Sequence, residues 1–222
     1  MTAFLETFEG ILQSDAYAAY LQFEKSHEEV ELAVCWAHAR RKFTDALERH
    51  PRECALVLKL IARLYKVETE IREKELDPDA TLAFRQKNAT NTHARIKRVL
   101  MILRHRSLPK SELGKACNYS LNNWGYLTTY LNHGQIAIDN NAMENAMRPP
   151  AIGRKNWLFI GHPKAGDRSA ILYSILISCQ RLEINPYDYL GDVLSKDTQN
   201  ISDEELAELT PANWKKARES EA

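Results

Sequence analysis

GILQSDAYAAYLQF, residues 10 to 23, decides how the rest of the chain is read. A short apolar run, Ile11 and Leu12, ends in Ser14 and an acid, Asp15, and helical composition resumes behind it. The pattern predicts a strand that delivers Asp15 at its carboxyl end, followed by a helix. A second pair comes next. VELAVCW, residues 30 to 36, is rich in Val and Leu, and AHARRKFTDALERH, residues 37 to 50, is helical in composition. Strand, helix, strand, helix in that order implies an α/β layer with parallel pairing. Residues 3 to 9 have room for one or two helical turns.

From Pro51 the character changes. Leu56, Leu60, Leu64, Val67 and Ile71 recur at helical spacing, so a long amphipathic helix starts at the proline. A turn at 77–79 and a second helix through Leu82, Ile96, Val99, Leu100 and Leu103, ended by Pro109, make an antiparallel hairpin inserted into the α/β unit. Leu113, Cys117, Leu121, Trp124, Leu127 and Leu131 mark another helix, closed by His133 and Gly134. DNNAMENAMRPP, residues 139 to 150, reads as a very short helix stopped by Pro149 and Pro150. Beyond it, NWLFI (156–160) is expected to be extended and HPKAGD (162–167) a loop. RSAILYSILISCQRL (168–182), apolar all round, is expected to be a core helix. Asn185 before Pro186 opens a short helix, and Ser202 with Glu205 has capping-box spacing. The expected organisation is therefore a partial α/β core over 1–50, a helical insertion over 51–108, further helices of the core over 109–195, and an acidic tail over 196–222.

With 222 residues the chain can bury one full core. Its 30 basic and 30 acidic residues cancel, which argues against a simple polyanion-binding protein. The distribution is less even. Residues 93 to 115 carry Arg95, Lys97, Arg98, Arg104, Arg106, Lys110 and Lys115 against Glu112, while acids gather beyond residue 183. Such a split fits a protein that meets nucleic acid on one side, and equally fits solvated helix faces. Cysteines 35, 54, 117 and 179 form no zinc-type pairs and no disulfide framework, as in a reducing cytosol. MTAFLETFEG is not a signal peptide, and AILYSILISC is short of the roughly 20 residues that span a bilayer. The expectation is a soluble intracellular protein with no membrane partner.

Two acids stand where chemistry would need them. Asp15 lies where α/β sheets place their sites, although an acid there also caps the following helix. Asn141 and Glu144 match a capping box, yet Asn141, Glu144, Asn145 and Arg148 also share one helical face, with Met143, Ala146 and Met147 on another. His38 sits just past the second strand with Arg40 and Arg41 behind it, suited either to structural hydrogen bonds or to phosphates. Cys35 and His38 have half of a zinc-like spacing and no second pair. Arg154 and Lys155 beside Trp157 mix cations with an aromatic, as single-strand or DNA-end sites do, or else form part of a strand with its aromatics in the core. Phosphate loops, nucleophile elbows and HExxH helices are absent from the sequence.

Taken in order, GILQSDAYAAY, CWAHARRKF, DNNAMENAMRP, IGRKNWLFIG and SCQRLEINPYDYLGDVL closely resemble the insertion sequence 66 family of bacterial transposases. The likeness runs over nearly the whole chain. It implies a ribonuclease-H-like fold, helix-rich overall, with a DDE-type site: two aspartates and a glutamate holding two Mg²⁺ or Mn²⁺ ions. Asp15 matches the second aspartate and Glu144 the glutamate, making these two the catalytic and metal-binding residues. His38, Arg40, Arg41, Asn141, Asn145, Arg148, Arg154 and Lys155 become DNA contacts. The partners implied are transposon ends and target DNA, together with further copies or a full-length transposase, in the bacterial cytoplasm. The family's first aspartate belongs to a strand upstream of Met1; Asp139 is too close to Glu144 to replace it, and Asp45 lies inside the wrong motif. The chain is thus expected to be an N-terminally truncated catalytic fragment, inactive alone, or else a non-catalytic fragment that binds DNA or transposase.

Overall fold

The computed structural model describes residues 5, 7–157, 161–196 and 201–221, without the side chains of 142, 154, 155, 157, 163 and 221. The chain divides into two compact units, Met1–Asn141 and Ala142–Ala222. It is helix-rich, with a small sheet. The helical turns expected over 3–9 fall largely outside the described residues.

In the first unit, β1 (Gly10–Ser14) and β2 (Val30–Val34) pair in parallel, Gly10 opposite Val30 and Ser14 opposite Val34. Helix α1 (Ala18–Lys25) makes the crossover. This is the α/β pattern read from the sequence. Helix α2 (Trp36–Asp45) leaves β2 almost at once and buries Trp36, Ala39 and Phe43 along one face. Trp36 anchors the core: it is fully buried, its indole N–H donates to the Leu127 carbonyl at 2.7 Å, and its ring meets His93 and Trp124 edge-on.

Helix α3 (Pro51–Glu73) starts at its proline and buries Cys54, Val57, Ile61, Leu64 and Ile71. The return arm is broken into α4 (Pro78–Asn88) and α5 (Thr90–Arg106), with Ala89 between them. Residues 77–79 are more than a turn. Asp77 accepts the Ala80 N–H at 2.8 Å, and Pro78 already sits in the first helical turn. Cys54 near the start of α3 and Arg104 near the end of α5 both act on Cys117, as an antiparallel hairpin requires.

The helix expected over 113–131 is also interrupted. It consists of α6 (Glu112–Asn122), α7 (Trp124–Thr128) and a 3-10 turn (Thr129–Asn132). Asn123 sits at the break, and both its backbone N–H and its side-chain amide go to the Tyr119 carbonyl. An asparagine that competes in this way for a backbone acceptor ends regular winding.

In the second unit, α8 (Asn141–Trp157) corrects two expectations. The helix runs through Pro149 and Pro150 instead of stopping, and Asn156 and Trp157 complete it instead of opening a strand. Proline's fixed φ is itself helical, so the ring removes a donor without forbidding the conformation. The rest of the expected strand, 158–160, lies outside the described residues. HPKAGD is not a loop: α9 (Pro163–Arg181) begins within it, with the His162 Nδ1 accepting the Lys164 N–H at 3.2 Å. Nor is α9 buried all round, since Ile171 is 61% and Leu172 54% exposed. Its buried end, Cys179, packs with Ile184, just ahead of α10 (Pro186–Leu194), and with Tyr189 of that helix, supported by Trp214 of α12 (Pro211–Glu221). Asn185 caps α10, and the Ser202–Glu205 capping box of α11 (Asp203–Glu208) is present in full. None of the described helices is long and apolar enough to cross a membrane.

Candidate active site

The site is built at the carboxyl end of the parallel pair. Because Ser14 and Val34 are opposite one another, Asp15 and Cys35 leave the sheet side by side, and the Cys35 N–H donates to the Ser14 carbonyl at 3.0 Å. Parallel sheets leave their crevice at this end. Asp15 is exposed, and its Oδ1 accepts the Tyr17 N–H at 3.1 Å, a local turn ahead of α1 and not the helix cap expected of it, since the N-cap is Tyr17 and has no side-chain cap. The other carboxylate oxygen has no hydrogen bond among the described residues. Ala16 takes a left-handed φ of 65°, a strained turn directly behind the acid.

A strap, residues 133–140, closes over this edge. His133 Nε2 lies 2.7 Å from Glu31 Oε2 on β2, and the Gln13 side chain of β1 donates to the Ala137 carbonyl at 2.7 Å. The Trp36 N–H donates to the Ile138 carbonyl at 3.2 Å, and the Asn140 N–H to the Cys35 sulfur at 3.2 Å. Arg85 of α4 holds the near end, donating from Nη1 to the carbonyls of Tyr130 and His133 at 3.1 and 2.7 Å. Its remaining donors pair with Glu68 of α3 at 2.9 and 2.6 Å. Gly134 passes so near α4 that a Cβ there would lie 1.7 Å from the Pro78 carbonyl oxygen. The hairpin therefore holds the strap, and the strap brings Asp139 to the sheet edge.

Asp139 accepts both the backbone N–H and the side-chain amide of Asn141, at 3.2 and 2.7 Å. Asp139, a residue that spacing alone sets aside, thus takes the N–H of the first residue of this helix. Tyr65 reaches the same place from α3: burial, then the Asp139 carboxylate beside it, pushes its phenol far above the ordinary value. Tyr119 donates its hydroxyl to the Asp15 carbonyl at 2.9 Å, and Lys42 stands 4.6 Å over its ring. Burial, then the nearby Cys35 and Asp15, raises Tyr119 to about 12, so it stays a neutral donor. Burial likewise raises the Cys35 thiol, against the Asn140 N–H, which favours the thiolate. Tyr65 and Tyr119 carried no signal in periodicity or motif, and Lys42 and Asp139, though inside quoted motifs, none that placed them here, because the contacts that gather them span most of the unit.

Of the residues singled out in the sequence, Asp15, His38, Arg40 and Arg41 lie in the first unit. His38 is half-buried in the first turn of α2, with Arg40 and Arg41 exposed beyond it. Asn141, Glu144, Asn145 and Arg148 are exposed on α8 and share one face of it, as their spacing implied. Met143 and Met147, expected as an apolar back, are 49% and 55% exposed. Arg154 and Lys155 belong to the same helix.

An exposed acid at the carboxyl end of a parallel strand stands where α/β sheets place their sites, and does not by itself say what the site does. Likeness decides the family: the family model described as transposase IS66 family matches residues 1–168, and the chain belongs to that family. Its curated relatives include the uncharacterized proteins y4jD and y4qI of Sinorhizobium fredii, each 33% identical over 218 residues, which is 95% of this chain and 42% and 40% of theirs. A third, y4hP of the same organism, is 30% identical over 232 residues, 96% of this chain and 41% of its own. The chain thus spans about two fifths of the length of these relatives. No solved structure matches it.

Proposed function

We propose that the chain contributes to a DDE-type transposase site on a ribonuclease-H-like core, cleaving and joining DNA strands with Mg²⁺ or Mn²⁺. The observation that carries this reading is Asp15, an exposed acid one residue past a parallel strand in a chain of a transposase family. Its unbonded oxygen is the hard donor that a small divalent cation takes, so the residue fits the metal. Glu144, on the polar face of α8, supplies a second carboxylate from a separate element. When bound, the metal supplies activation of a water or 3′-hydroxyl and charge stabilisation at the leaving oxygen. The chain's own groups do the rest. The Tyr17 N–H orients Asp15 from one side, and Tyr119 pins its backbone carbonyl from the other. His38, Arg40, Arg41, Asn141, Asn145, Arg148, Arg154 and Lys155 meet DNA, the cations on phosphates and the amides as hydrogen-bond partners. Residues 51–108 form a helical insertion in that core, and the working unit includes further copies or a longer family member.

A second reading, a non-catalytic fragment that binds DNA or a transposase, draws on the sheet. Among the described residues it has two parallel strands, whereas parallel sheets are ordinarily larger and covered on both faces.

Asp15→Asn separates ligand from turn contact, because the amide oxygen can still accept the Tyr17 N–H while the charge is gone. Mn²⁺ titration by electron paramagnetic resonance should show at least a tenfold weaker site in Asp15→Asn and in Glu144→Gln. Mn²⁺-dependent nicking of supercoiled plasmid should fall with it. Mn²⁺ affinity and nicking that survive both substitutions would overturn the assignment.

A further inference from the structure

We propose that the outward face of α5 forms a docking surface for the phosphate backbone of duplex DNA, distinct from the candidate active site. The starting point is composition. Residues 80–111 contain no Asp or Glu at all, and α5 lies wholly inside that stretch. In α5 the buried residues are His93, Ile96 and Leu100. At about 100° per residue, Arg95, Arg98 and Arg106 lie away from that side, and all three are exposed. Helix α3 repeats the arrangement: Val57, Ile61 and Leu64 are buried, while Lys59, Arg63 and Lys66 point outward and are exposed. The two helices pack against each other.

Solvated helix faces usually mix signs, and that of α5 does not, whereas on α3 Glu70 and Glu73 share the outward side with the three cations. Arg95 and Arg98 are three apart, Lys59 and Arg63 four, and Arg63 and Lys66 three. Like charges at those spacings repel and destabilise the helix that carries them. Among the described residues none of the six takes part in an ion pair; the acids of α3 that do pair, Glu68 and Glu70, lie further along the helix with Arg85 and Lys74. Here a cationic surface is kept against a stability penalty inside a chain whose total charge is zero. A polyanion relieves that repulsion. From Arg95 to Arg106 the helix rises roughly 16 Å at 1.5 Å per residue, a reach that covers several successive phosphates of one strand. Exposed Arg side chains on one helix face suit phosphates, so the contacts are to backbone, independent of sequence. The inference rests on the reading that this chain handles DNA, but it does not depend on Asp15, Glu144 or a metal.

The test is fluorescence anisotropy with a 30-base-pair duplex of arbitrary sequence, without divalent metal, over a series of salt concentrations. The variant Arg95→Ala/Arg98→Ala/Arg106→Ala is compared with an equal charge loss elsewhere, Lys164→Ala/Arg168→Ala/Lys216→Ala. Alanine suits exposed helical positions, and circular dichroism verifies that both variants are folded. The α5 variant should lower the slope of log affinity against log salt by about two to three, at ~0.9 per lost phosphate contact. It should weaken binding at least tenfold near 0.1 M salt, with a smaller effect from the control. An unchanged slope in the α5 variant overturns the proposal, as does binding of phosphatidylserine vesicles with none to duplex. Asp15→Asn should bind the duplex with the wild-type slope. Loss of metal dependence and loss of docking are thereby read separately.

Discussion

Replacing Arg85 by methionine tests the strap most directly. The guanidinium is 3% exposed and the Glu68 side chain 10%, with two hydrogen bonds between them and two more from Arg85 to the carbonyls of Tyr130 and His133. Methionine fills most of the volume and removes every donor. Glu68 is then left as a buried charge without its partner, and breaking such a pair from one side costs about 3–5 kcal/mol. The two carbonyls lose a donor as well, though the His133 end is only partly buried and water can replace part of that loss. A loss of about 4 kcal/mol is large beside the 5–15 kcal/mol that holds a typical domain. Glu68→Leu in the same chain removes the stranded charge and should restore much of the loss, because apolar replacements of a buried pair are often close to neutral. Urea unfolding followed by far-ultraviolet circular dichroism gives the four corners of the cycle, and the coupling between the sites should exceed about 2 kcal/mol. Additive effects, or a loss below about 1 kcal/mol for Arg85→Met, would refute the picture of a desolvated clamp.

Two further outcomes follow from the same unit. His93 is buried, and burial lowers it to about 4 from an ordinary 6.5. The unfolded chain therefore binds a proton that the native chain resists, and stability is full above about pH 6.5 and declines as pH falls toward 4, by up to about 3 kcal/mol from this residue. Urea midpoints measured from pH 7 to pH 4.5 should fall less steeply in His93→Gln, and parallel curves would contradict the assignment. Gly134→Ala places a Cβ 1.7 Å from the Pro78 carbonyl oxygen, against backbone that has little room to retreat. Overpacking of this kind costs about 1–3 kcal/mol, so the melting temperature should drop by several degrees, and an unchanged value would mean the strap does not pass where it is described.

How far the sequence could be read turns on proline and on reach. At Pro51 and Pro186 the residue was correctly read as the first turn of a helix, where its missing N–H costs nothing. At Pro78 and Pro163 the same residue also opens a helix, where a turn and a loop are expected from the sequence. At Pro149 and Pro150 it lies within a helix that the usual rule would have ended. One residue type thus signals start, interruption and neither, since its φ suits all three and only tertiary context selects. The parallel pair and Asp15 were legible because alternation and an acid at a strand end are local properties. The apolar length of α9 was legible too, but its burial was not: composition says what a helix could cover, not what stands beside it. The setting of Asp139 was beyond reach for a different reason. It depends on Gln13 meeting Ala137 across 124 residues and on Arg85 meeting His133 across 48. The polar groups that make those contacts have no periodicity to betray them. Spacing alone relates Asp139 only to Glu144, five positions away. The strap makes the comparison that matters a spatial one, with Cys35 and Tyr65 as its neighbours. Any account of metal or DNA at this edge has to include the charge of Asp139 alongside that of Asp15.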